Sequence, residues 1–150
     1  MSIEQRLSAL EDRVGIREFY DRYCNAVHQR NWRVYEDCLT ADASFELTAP
    51  FNVRAQGARN IVQTVQAAAA HYDFVVIAIT GFESKIVGDE ASVRASFHEI
   101  GNGKNGGLHT LGICDDELVK VSGEWRLKRR KGVVTYFDPT VLVGACYYPY

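Results

Sequence analysis

No apolar run in the 150 residues is long enough to cross a bilayer, so a membrane-spanning helix drops out of the reading. The opening Met1-Ser2-Ile3-Glu4-Gln5-Arg6-Leu7 lacks the basic-then-apolar order of an export signal. Residue 2 is not the glycine that myristoylation needs. The default expectation is therefore an intracellular, cytoplasmic protein with no membrane partner. Charge of one sign is missing too: the net charge of −2 gives no electrostatic footprint for nucleic acid. Cysteine is sparse, and the spacing of Cys24, Cys38, Cys114 and Cys146 fits no zinc or redox signature. Two disulfides are arithmetically possible, but without an export signal free buried thiols are the better expectation.

What is present is an average globular composition, 47% hydrophobic and 24% charged, which excludes a disordered or fibrous chain. The length suits a single domain, residues 1–150, with one sizeable core. Ile3, Leu7, Leu10 and Val14 recur at helical spacing, and Ile16, Tyr20, Tyr23 and Val27 start a stripe out of step with them. Because the skip lies beside Gly15, the pattern predicts a short helix, a break, and a second helix from about 13 to 29. Asn31 offers a cap for a third segment with Val34, Tyr35, Cys38 and Leu39 inward. A short strand is expected at 43–47. Near Gly57 a helix begins whose Ile61, Val65 and Ala68 or Ala69 form a narrow apolar face.

Beyond Phe74 the period changes from helix to strand. Residues 74–82 are nearly all apolar or β-branched, as expected of a strand covered on both faces. Gly88-Asp89 marks a turn, and in 91–100 Val93, Ala95 and Phe97 alternate with Arg94, Ser96 and His98. Residues 101–107 read as a flexible glycine-rich hairpin loop; it leads into a strand rather than a helix, which speaks against a phosphate cradle. A long strand over 108–121, a tight turn at Ser122-Gly123 and a partner strand over 124–137 follow. The apolar and tyrosine-bearing tail, 138–150, is expected to pack across the body or against a neighbouring subunit. Helices first and an antiparallel meander after them define an α+β domain. One curved sheet wrapped around helices leaves a cone, and its open end would admit a small molecule.

Three segments carry a resemblance: Leu10-Glu-Asp-Arg-Val-Gly-Ile-Arg-Glu-Phe-Tyr-Asp-Arg-Tyr-Cys24, Leu39-Thr-Ala-Asp-Ala-Ser-Phe45 and Gly123-Glu-Trp-Arg-Leu-Lys-Arg-Arg130. They resemble the SnoaL-like branch of the nuclear-transport-factor-2-like superfamily, from about residue 7 to 140. The resemblance implies a cone-shaped barrel of a curved, mostly antiparallel sheet wrapped around N-terminal helices. It also implies a cofactor-independent lyase, isomerase or cyclase, dehydratase-like in mechanism. Catalytic members of that branch pair an aspartate late in the helical region with a histidine on the first long strand. Here the aspartate's position holds His28 and the histidine's falls near Val76, with His71 five residues earlier.

Tyr20, Cys24 and His28, at i, i+4 and i+8, share one side of a helix. Apolar surroundings disfavour a charged imidazole, so His28 is expected to serve as a neutral base for a carbon-bound proton. Tyr20, Tyr23 or Arg130 would stabilise the oxyanion that develops. His98 and His109 flank the glycine-rich segment and could meet across the hairpin; Glu99 beside them has a metal-ligand side chain, but on a regular strand it points to the opposite face, so no metal site is assigned. Cys114 and Asp116 share a face, and Lys128 or Arg130 on the neighbouring strand should pair with Asp116. The remaining charges of 115–117 and 126–131 are expected to form cross-strand ion pairs. Cys24, His71, Val76, His98, His109, Cys114 and Asp116 are thus candidate substrate contacts.

The expected function is proton abstraction on a small apolar oxygenated molecule (polyketide, terpenoid, steroid or aromatic) without a cofactor. Two alternatives stand beside it: a binding module or partner subunit that holds a ligand unchanged, and a subunit of the ring-hydroxylating dioxygenase β type. The open sheet and aromatic tail point to a homodimer or homotrimer.

Overall fold

The computed structural model describes residues 1–147. Ser2 begins α1 (Ile3–His28): its hydroxyl accepts from the Gln5 backbone N–H, and the Gln5 side chain accepts from the Ser2 N–H. This reciprocal box satisfies two donors that a helix start would otherwise leave orphaned. The break expected beside Gly15 is absent, and α1 runs through that position. Gly15 instead marks a close approach, since a Cβ there would lie 3.0 Å from the Trp125 ring. The two out-of-step stripes are two faces of one helix. Ile16, Phe19, Tyr20, Tyr23, Ala26 and Val27 are buried, whereas Ile3, Leu7, Leu10 and Val14 stay exposed.

Asn31 caps α2 (Trp32–Asp37) by accepting from the Val34 N–H, as the sequence indicates. Next come β1 (Leu39–Leu47), β2 (Val53–Gln56) and α3 (Ala58–Ala69), then four long strands: β3 (Phe74–Val87), β4 (Glu90–Gly103), β5 (Gly106–Val121) and β6 (Glu124–Asp138). They form one sheet in the order β2-β1-β6-β5-β4-β3, antiparallel except where β1 lies parallel to β6. Register shifts at 79/81, 111/112 and 117/118 mark irregularities that bend the long strands. The result is an α+β fold in which a curved, mostly antiparallel sheet wraps around the helices. Among the described residues no helix is long and apolar enough to cross a membrane.

Two strand expectations change. The segment 74–82 is not covered on both faces: β3 is an edge strand, and Ala78 and Thr80 are exposed on its outer side. Residues 101–107 are not a flexible loop, because β4 and β5 continue through them to a tight turn at 104–105. Their glycines allow backbone to approach backbone. A Cβ on Gly107 would strike the Thr140 carbonyl, where the tail crosses β5 and the Gly107 N–H donates to the Pro139 carbonyl at 2.8 Å. Replacement of Gly107 by Ala should therefore cost about 1–3 kcal/mol in urea unfolding; an unchanged midpoint would mean the tail does not lie there. Asn102 anchors the same tail by accepting from the Leu142 N–H at 2.8 Å. Val143 and Tyr147 nevertheless stay exposed; Tyr148 and Tyr150 lie outside the described residues.

Candidate active site

Between α1, α2, α3, β1 and the inner face of the sheet lies a cavity of about 230 Å³. Its wall is largely aliphatic and aromatic, with Val27, Phe45, Val65, Ile77, Phe97 and Leu108 prominent. Burying these side chains drives the fold, and the space they leave has the apolar lining that suits an apolar guest. Few polar groups reach it, so each is informative.

α1 supplies Tyr23 and α2 supplies Tyr35. Their hydroxyls lie 2.8 Å apart and their ring centroids 4.9 Å apart. Burial pushes both phenols up, Tyr35 to about 12. Both are therefore protonated at neutral pH, and each O–H is a donor. One hydrogen satisfies the neighbouring tyrosine, which leaves the other to be donated to an oxygen of a guest.

β5 and β6 place Asp116 directly opposite Arg130. Arg130 Nε donates to Asp116 Oδ1 at 2.8 Å and Nη2 to Oδ2 at 2.7 Å, while the Tyr20 hydroxyl donates to Oδ2 at 2.8 Å. The sequence-expected ion pair is present, and it is bidentate and buried. Burial works against the guanidinium charge, but the facing Asp116 carboxylate holds its pKa well above the ordinary value. Arg130 also lies 4.6 Å over the Tyr23 ring and lines the cavity. A fixed positive charge thus stands behind the tyrosine pair.

Among the described residues, Glu99 is the acidic side chain in the cavity wall. It continues the inward phase of β4 after Val93, Ala95 and Phe97, and it is half-buried because part of it faces the cavity. Among the described residues its carboxyl has no hydrogen bond or ion pair. Burial alone pushes its pKa up to about 7. A carboxyl poised there can both accept and return a proton near neutral pH. Opposite it on β5, Thr110 is fully buried and its Oγ1 has no partner among the described residues. Replacing Thr110 with the near-isosteric Val should leave stability unchanged or raise it by up to about 1 kcal/mol in urea unfolding. A clear loss would reveal a bond to that hydroxyl.

Four of the sequence-derived candidates line the cavity: Tyr23, His71, Cys114 and Arg130. Tyr20 and Asp116 stand behind the wall, joined to each other and to Arg130. His28 is not among the lining residues. The buried stripe of α1 is centred on Tyr20, Tyr23 and Val27, so Cys24 and His28 fall at its half-buried edge. Burial also raises the Cys24 thiol to about 11, which removes the thiolate a reactive cysteine needs. Val76 points away from the cavity, because Val75, Ile77 and Ile79 hold the inward phase of β3.

His98 and His109 do meet across the hairpin, ring centroids 5.0 Å apart, but on the outer face beside Tyr136. They therefore cannot contact a cavity ligand. No group of three His, Cys, Asp or Glu among the described residues is placed to hold a metal ion. No disulfide joins the described cysteines. Cross-strand ion pairs join Arg129 to Glu117 on β5, whereas Asp115 turns to Arg94 on β4.

The SnoaL-like domain family matches residues 8–131. Among solved structures the chain is similar to a candidate scytalone dehydratase from Novosphingobium aromaticivorans, with 18% identity, a TM-score of 0.80, and 91% of this chain and 93% of that one covered. A candidate aromatic ring hydroxylase from the same organism gives 24% identity and a TM-score of 0.80 over 87% of this chain and 94% of that one. Hexachlorocyclohexane dehydrochlorinase LinA-type3 from Novosphingobium barchaimii gives 18% identity and a TM-score of 0.79 over 96% and 99%. At these identities the likeness establishes a shared fold. No curated protein matches the sequence.

Proposed function

The chain belongs to the SnoaL-like domain family, and from that premise we propose that it is a cofactor-independent lyase or isomerase in which Glu99 moves a proton on a small, apolar, oxygenated guest. The observation that carries the reading is a cavity-facing carboxyl, without an ionic partner, whose pKa burial raises to about 7. As carboxylate, Glu99 takes a proton from carbon next to a carbonyl. The C–H electron pair moves into the new C=C bond, and negative charge develops on the oxygen. An O–H of the Tyr23–Tyr35 pair donates to that oxygen, and the Arg130 charge behind Tyr23 favours it further. Return of the proton to a different carbon completes an isomerisation. Expulsion of a leaving group from the adjacent carbon completes an elimination. Two of the similar structures are named for a dehydratase and a dehydrochlorinase, and both names denote eliminations that remove a proton from carbon.

His28, the base expected from the sequence, is replaced in this proposal by Glu99, because the guest occupies a cavity that His28 does not line. The test is deuterium uptake from heavy water at the α-carbon of 1-tetralone and of cyclohexanone, read by mass spectrometry. Uptake above the buffer rate is expected, with a fall of about 10²–10³-fold in Tyr35→Phe if that hydroxyl donates to the oxyanion. Binding of either ketone without uptake would instead favour the binding-module reading.

A further inference from the structure

Apart from the site, the first half of α1 leaves an apolar stripe uncovered. Ile3, Leu7, Leu10 and Val14 are 82%, 54%, 58% and 56% exposed. Their spacings of four, three and four residues are those of alternating d and a positions in a heptad. At 3.6 residues per turn, the stripe lies roughly 165° around the helix from the face buried in the core. A second helix can therefore lie along it while the two protein bodies remain on opposite outer sides. The flanking charges have a definite order. Glu4 and Glu11 occupy e positions, and Arg6 and Arg13 occupy g positions. All four are exposed, and none takes part in an ion pair within the described residues.

We propose that this segment pairs in parallel with the same segment of a second copy of the chain, forming a short two-stranded coiled coil. In parallel register a g residue faces the e residue of the partner's following heptad. Arg6 then meets the partner's Glu11, and Arg13 meets the partner's Glu18. The two-fold axis repeats each pair. An antiparallel pairing would instead set arginine against arginine and glutamate against glutamate. Self-association is thus favoured by the charge pattern as well as by the seam. With fewer than two full heptads, the dimer is concentration-dependent.

Sedimentation equilibrium of the full chain at about 1 and 100 µM tests this at low salt, where exposed charges are least screened. The mass should rise toward twice 16.9 kDa at the higher concentration. Leu7→Glu with Leu10→Glu should remain monomeric at both concentrations, with an unchanged near-ultraviolet circular dichroism spectrum showing that the body is folded. Arg6→Glu alone should weaken association at least several-fold, and adding Glu11→Arg should restore it. A mass unaffected by the Leu7/Leu10 substitutions would place any dimer elsewhere and overturn the proposal. Stronger association of Arg6→Glu would show antiparallel pairing and overturn it as well. A chain monomeric at 100 µM that instead binds anionic phospholipid vesicles would assign the stripe to a membrane surface, against the proposal.

Discussion

Glu99→Gln is expected to lower proton exchange and turnover by about 10²–10⁴-fold while the fold survives. Glutamine keeps the shape of the side chain and its place on β4 between Ile77 and Thr110. It cannot take a proton. In the wild type the rate should rise with pH through about 7 as the carboxyl ionises. The same substitution has a stability signature of opposite sense. The folded-state pKa lies above the unfolded one, so between the two values the folded chain binds more protons than the unfolded chain. Stability is therefore complete below about 4.5 and falls as pH rises through about 7. Glu99→Gln removes that dependence. It should be more stable than wild type at pH 8, by roughly 1–3 kcal/mol once partial exposure is discounted, and equal to it at pH 4. A variant that loses activity and also loses stability at pH 8 would indicate a structural role for the carboxylate.

Asp116→Ala should destabilise the protein by about 3–5 kcal/mol in urea unfolding. The carboxylate accepts two bonds from Arg130 and one from Tyr20, all within a buried network. Its removal leaves a guanidinium without a counter-charge in the core. The cost is therefore mainly the stranded Arg130, not the intrinsic worth of the pair. Asp116→Leu combined with Arg130→Met should recover most of the lost stability, because it removes both charges and fills the volume. The double variant would also remove the positive charge behind Tyr23, so exchange activity should stay low while the fold returns. Equal destabilisation by the single and double variants would mean that packing around Asp116, not charge, sets the cost.

Much of this architecture was legible because the informative signals are local. Asn31 caps α2 and Ser122-Gly123 forms its turn with both residues at positive φ, each from chemistry within a few residues. Asp116 and Arg130 could be paired because a hairpin with a tight turn fixes its own register. The continuity of α1 was not legible, because two apolar stripes can mean two helices or two faces of one. Only the position of Trp125, more than a hundred residues away, shows why Gly15 sits there.

The site was readable in part. Tyr35 and Tyr23 could be placed inward, but the contact between their hydroxyls depends on how α2 folds back on α1. His28 shares a helical side with Tyr20, yet helical spacing does not say which side chain lies at the centre of a buried stripe and which at its edge. Glu99 did carry a signal: it keeps the inward phase of Val93, Ala95 and Phe97. A charged residue in an inward phase of an otherwise apolar strand is costly unless it is neutralised or used. Its neighbour His98 carries the more conspicuous side chain in the sequence but faces the other way, against His109.

The most direct measurement is a carbon-detected NMR titration of the side-chain carboxyls, with the Glu99 signal assigned by its loss in Glu99→Gln. A midpoint near 7 is expected for a carboxyl enclosed by the cavity wall, and one near the ordinary 4.5 would contradict the role given to Glu99.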